Sequence, residues 1–151
     1  MAGGGVCGAI FRAAGYEPLQ AACDAIGHCN AGSAVITPGF ALNARYIIHA
    51  VGPVWHGGNR REPELLYGAY TKALELAKMH HCRSIGFPLI SSGIYSYPVP
   101  LAWSVAITAC ADFLRRYGED SLKIVFAVLS DEVLEEGEKT LQSVSIRREE
   151  E

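Results

Sequence analysis

Four apolar stretches of strand length alternate with segments of helical periodicity along this chain. Residues 33–40 (SAVITPGF) and 44–53 (ARYIIHAVGP) are rich in β-branched and aromatic side chains and end at Pro or Gly, which predicts two strands. Residues 82–93 (CRSIGFPLISSG) and 122–130 (LKIVFAVLS) are two further apolar runs of buried-strand length. Residues 62–81 place Leu66, Tyr70, Ala73 and Ala77 on one helical face, with Pro63 in the first turn and Lys78, His80 and His81 near the C-terminal end. Residues 100–118 carry a second apolar stripe and close on Arg115, Arg116 and Gly118. Residues 8–14 and 18–27 predict shorter helices. The charged run at 145–151 predicts a solvated, frayed end, so the reading is one domain over 1–142 and a charged tail over 143–151.

Such alternation predicts an α/β fold, with a largely parallel sheet covered by helices on both faces. Composition agrees with a globular domain: half of the 151 residues are hydrophobic and 19% are charged. A net charge of −3 lacks the basic footprint of non-specific nucleic-acid binding, yet leaves room for one anion held by backbone groups. The five cysteines form no CxxC pair and no paired framework, which predicts free thiols in a reducing, cytoplasmic setting. No apolar run is long enough to span a bilayer, and no membrane partner is expected.

Two glycine-containing loops carry candidate chemistry. In GGGVCGAI (3–10), glycines let the backbone approach a ligand, and a helix starting near Val6 or Cys7 would aim free N–H groups at an anion. In PLISSGIYSYP (88–98), which follows a buried strand, Ser91, Ser92 and Gly93 offer hydroxyls and unobstructed N–H groups, while Ile94 and Tyr95 would wall a sugar. Cys23, His28 and Cys29 lack a fourth spaced ligand, so no metal is expected. His49, His80, His81, Trp55 and Trp103 read as structural, and Arg60 and Arg61 as a solvated loop.

With the stretches GGGVCGAIFRAAG, CNAGSAVITPGFAL, ARYIIHAVGPVWHGG, SIGFPLISSGIYSYP and IVFAVLSDE in this order, the chain resembles the macrodomains, ADP-ribose-binding α/β domains. It is most similar to the branch that removes ADP-ribose from proteins or acetyl groups from O-acetyl-ADP-ribose. The resemblance runs from position 3 to about position 141. It implies a three-layer α/β/α fold with a mixed sheet, no cofactor, and ADP-ribose or an ADP-ribosylated protein as partner. It implies that Gly3, Gly4, Gly5 and Val6 form one phosphate-contacting loop. Ser91, Ser92, Gly93, Ile94 and Tyr95 would form the other, clasping the diphosphate and distal ribose.

The resemblance also has gaps. The hydrolase branch carries an Asp where this chain has Cys7, so the catalytic group is unassigned. Phe11 stands for a frequent His, and Ser130 for an aromatic near the adenosine. An upstream segment with an adenine-recognising acid, an inner strand and an Asn-rich motif has no counterpart here. On that basis the domain is expected to be incomplete at its N-terminus and to form a homo-oligomer through its sheet. Both a hydrolase of ADP-ribosyl groups and a non-catalytic binding module fit these residues.

Overall fold

A computed structural model describes the backbone of residues 5–150 and the side chains of residues 7–144. In chain order the elements are helices α1 (Gly5–Ala14) and α2 (Tyr16–Ile26), strands β1 (Ser33–Pro38) and β2 (Tyr46–Val51), and helix α3 (Glu62–Met79). Strand β3 (Ser84–Phe87), helix α4 (Val99–Tyr117), strand β4 (Lys123–Phe126) and helix α5 (Asp131–Glu150) follow.

The fold is α/β with a mixed sheet arrangement, but the strands form two pairs. β1 and β2 are antiparallel, with Ser33 opposite Val51 and Pro38 opposite Tyr46. β3 and β4 are parallel, with Ser84 opposite Lys123 and Phe87 opposite Phe126. The largely parallel sheet expected from the alternation is therefore corrected at β1–β2. Those strands are joined by a short loop, closed by Gly39 N–H donating to the Arg45 carbonyl at 2.9 Å, and a parallel pair needs a long crossover. β3 and β4 have that crossover in α4.

The main core forms where α3 and α4 meet the strands. Leu66, Tyr70, Ala73 and Ala77 are all fully buried, as their spacing predicts, and face Ala102, Trp103, Ala106 and Phe113 of α4. An aromatic cluster ties the β3–β4 pair to this layer: Tyr70 meets Phe87 at 5.0 Å, Phe87 stacks on Phe126 at 5.5 Å, and Trp103 meets Phe126 edge-on at 5.1 Å. A second, smaller core of Phe11, Ala14, Leu19 and Ile47 packs α1 and α2 on the other face of β1–β2. Three layers are thus complete at β1–β2. At β3–β4 the expectation of two covered faces is corrected, because Ser84, Gly86, Lys123 and Val125 are exposed on the second face.

α5 has no counterpart in the sequence reading. It runs across the boundary drawn at 142 as far as Glu150, and its first turn is capped by Ser130, whose Oγ accepts the Glu132 N–H at 3.2 Å. It is joined to α4 by the indole of Trp103, which donates to the Val133 carbonyl at 2.8 Å. Gly137 permits that approach, since a Cβ there would lie 2.7 Å from two atoms of the Trp103 ring.

Candidate functional site

The stretch from Pro88 to Tyr97 leaves the carboxyl end of β3 as a loop rather than continuing the strand. The loop closes on itself: Tyr97 N–H donates to the Ser91 carbonyl at 2.9 Å, and Ser96 N–H to the Gly93 carbonyl at 2.9 Å. Ser92 is absorbed into this closure, its Oγ donating to the Leu89 carbonyl at 2.8 Å.

Two neighbours hold the loop in place. On one flank, the Tyr70 hydroxyl of α3 accepts the Ile90 N–H at 2.9 Å. Burial pushes that hydroxyl well above the ordinary tyrosine range, against the pull of the Ile90 N–H, so it stays neutral. On the other flank, Trp55 N–H donates to the Tyr95 carbonyl at 2.9 Å, and its ring packs 4.7 Å from that of Tyr97. Gly52, directly after β2, completes the seat: a Cβ at this position would meet Ser91 Oγ, and would lie 2.6 Å from Ile90 Cγ2.

Ser91, Gly93, Ile94 and Tyr95 stand out within the loop. Ser91 has a left-handed backbone, with φ of 69°, which a non-glycine residue rarely adopts. Its Oγ is buried without a hydrogen-bond partner among the described residues. Ile94 is 96% exposed and Tyr95 is 42% exposed, an apolar pair that the fold itself does not use. Gly93 is exposed, and a Cβ there would have nothing within 4 Å.

The structure brings Ser91, Ser92, Gly93, Ile94 and Tyr95 together with Gly52 and Trp55. Of the first loop, Gly3 and Gly4 lie outside the described residues, as does the side chain of Val6; Gly5 and Val6 begin α1. Cys7 is exposed in the first turn of that helix. Phe11 is a core residue, 7% exposed and 5.3 Å from the Tyr16 ring. Trp55, Tyr70 and Gly52 are supports that the sequence reading did not assign. Burial also lowers the pKa of His49, whose Nε2 lies 2.9 Å from Thr37 Oγ1. That pair sits between β1 and β2, in a structural setting.

The macro domain family model matches residues 1–106. The chain belongs to the macro domain family. It is 49% identical over 142 residues to a macro domain-containing protein of Chlorobaculum tepidum, covering 93% of this chain and 81% of that protein. It is 52% identical over 121 residues to an O-acetyl-ADP-ribose deacetylase of Salmonella typhimurium, covering 78% of this chain and 67% of the relative. Among solved structures, the Oceanobacillus iheyensis macrodomain with ADP superposes with a TM-score of 0.87 at 36% identity, over 97% of this chain and 80% of that one. The Trypanosoma brucei macrodomain in complex with ADP-ribose gives 0.82 at 37% identity, over 91% of this chain and 56% of that one.

Proposed function

We propose that this macro domain binds ADP-ribose or an ADP-ribosyl derivative, on a free ligand or an ADP-ribosylated protein. The diphosphate and distal ribose are clasped between Gly3, Gly4, Gly5 and Val6 on one side and Ser91, Ser92, Gly93, Ile94 and Tyr95 on the other. The observation that carries this reading is the loop after β3. It is fixed at both flanks by Tyr70 and Trp55, holds a Ser91 hydroxyl that has no partner among the described residues, and leaves Ile94 and Tyr95 exposed. Backbone N–H groups supply the anion affinity, which suits a chain of net charge −3. The five free thiols suit a reducing compartment such as the cytoplasm, and no described helix is long and apolar enough to cross a membrane.

Calorimetric titration of ADP-ribose in phosphate-free buffer tests the reading. Saturable one-to-one binding is expected, and a folded protein that shows no heat would overturn it. Gly93→Ala sharpens the test. The added methyl meets no atom of the described residues, so stability should hold while affinity falls about tenfold, by blocking the approach of phosphate to the backbone.

Cys7 favours a second reading, in which the ligand is held without efficient hydrolysis. An exposed thiol stands where the similar hydrolases carry a carboxylate, and it does not replace a carboxylate in orienting or deprotonating water. Under this reading Cys7→Asp gains turnover of O-acetyl-ADP-ribose. Equal turnover by the unaltered protein would discard it. Among the described residues the two-stranded sheets leave strand edges open, and we propose self-association through them; a monomer by light scattering would count against it.

A further inference from the structure

The turn between Trp55 and α3 is built around a carboxylate. Glu62 opens α3 and is 1% exposed. Its Oε2 accepts the N–H groups of His56 at 2.9 Å and Gly58 at 2.8 Å, and its Oε1 accepts that of Arg60 at 2.5 Å. A ring of backbone N–H groups is an anion site, and here the anion is the protein's own side chain. The wrap depends on Gly57 and Gly58, whose φ values of 94° and 90° suit glycine.

The wrapped turn reaches the ligand loop through one residue. Gly58 lies on the Trp55 indole, so closely that a Cβ there would sit 3.0 Å from the ring edge. Trp55 then contacts the loop twice, through its N–H to the Tyr95 carbonyl and its ring against Tyr97. Arg61 takes no part, because its guanidinium pairs with Glu64 at 2.9 Å in solvent.

We infer that Glu62 is a positioning residue for the loop at 91–95, acting through the turn at 56–60 and Trp55. The affinity of that loop for its ligand is then set in part by a carboxylate enclosed by backbone. This rests on the ADP-ribose reading for its ligand, although the bracing itself does not. An acidic residue at the start of a helix that served the helix alone would affect stability and nothing at the loop.

The experiment compares Glu62→Gln, Glu62→Ala and Tyr67→Phe. The last removes a hydrogen bond from Tyr67 to Asp112, made at 2.7 Å between α3 and α4 and away from the loop. Each variant is measured for ADP-ribose affinity by calorimetry and for amide hydrogen exchange at Trp55 and Tyr97. If the braced loop conformer falls to a tenth of the population, affinity falls about tenfold. That loss is expected for Glu62→Gln, a larger one for Glu62→Ala, and none for Tyr67→Phe. Exchange should quicken at Trp55 and Tyr97 in both Glu62 variants while the β1–β2 amides stay protected.

A folded Glu62→Ala protein with unchanged affinity would overturn the inference, and so would equal losses in Glu62→Ala and Tyr67→Phe. If Glu62→Ala does not fold, Glu62→Gln decides. If the unaltered protein does not bind ADP-ribose, the ligand reading fails. The exchange arm then decides the bracing alone, and unchanged protection at Trp55 and Tyr97 in Glu62→Gln would overturn it.

Discussion

Gly52→Ala is the sharpest probe of the seat beneath the ligand loop. Gly52 is buried directly after β2, and its φ is not positive, so alanine meets no backbone penalty there. The cost is steric. The new Cβ would meet Ser91 Oγ and would lie 2.6 Å from Ile90 Cγ2, well inside ordinary contact. The backbone of neither neighbour is free to shift, because the Ile90 N–H is held by Tyr70 and the Ser91 carbonyl by Tyr97 N–H. Overpacking of this kind costs about 1–3 kcal/mol. Reduced freedom of the unfolded chain returns about 0.4–1 kcal/mol. The difference spans about 0–2.6 kcal/mol, and its centre of about 1.3 kcal/mol lowers Tm by about 3–5 °C in a chain of this size. The loop moves to admit the methyl, so ADP-ribose affinity should fall about tenfold or more. Gly86→Ala serves as the control, since a Cβ there meets nothing within 4 Å on the open face of β3. Differential scanning calorimetry and ligand titration on both variants decide the matter. Gly52→Ala with unaltered Tm and affinity would refute the packed seat.

Other perturbations test other parts of the molecule. Gly137→Ala sets helix propensity, which favours alanine by about 1 kcal/mol, against a Cβ 2.7 Å from the buried Trp103 ring. Thermal melts should show a lower Tm, with overpacking winning; a higher Tm would mean the indole shifts freely. Burial raises the Glu62 carboxyl, but the N–H groups of His56, Gly58 and Arg60 outweigh it and hold the pKa at about 2, below the ordinary 4.5. Because the folded pKa is the lower one, the stabilisation is present above pH 4.5 and is lost as pH falls toward about 2. Melts across that window should fall less steeply for Glu62→Gln than for the unaltered protein, and parallel curves would exclude the contribution.

The long helices were legible because their cores are written at helical spacing. α3 starts at 62 as the pattern implies, and all four residues of its predicted stripe are buried. The strands were legible as existing but not in extent. Residues 82–93 shrink to β3 because Pro88, which has no N–H for a ladder, follows Phe87, and beyond it the Ile90 N–H goes to Tyr70. The antiparallel β1–β2 pair was readable from the short connection between its strands, which cannot hold a crossover. α5 escaped because its pattern is weak: charges dominate, Gly137 interrupts it, and few of its described side chains, Val133 and Val144 among them, pack on the main core. The remaining signal was Ser130 followed by two acids, an N-terminal cap.

The site divides in the same way, and the division explains how the loop keeps its shape. Ser91 through Tyr95 were found because glycine and hydroxyl residues follow an apolar run. Their supports were not, since Gly52, Trp55, Glu62 and Tyr70 reach the loop only through tertiary packing. Two of these, Glu62 and Tyr70, belong to α3, and Trp55 is held by the turn that Glu62 organises. The two strand pairs do not hydrogen-bond to one another among the described residues, whereas α3 contacts both. The loop is therefore referenced to a helix as much as to a sheet. Substitutions on the open face of β3–β4, at Gly86 or Lys123, should leave it undisturbed, while changes at Glu62 or Tyr70 of α3 should reach it directly.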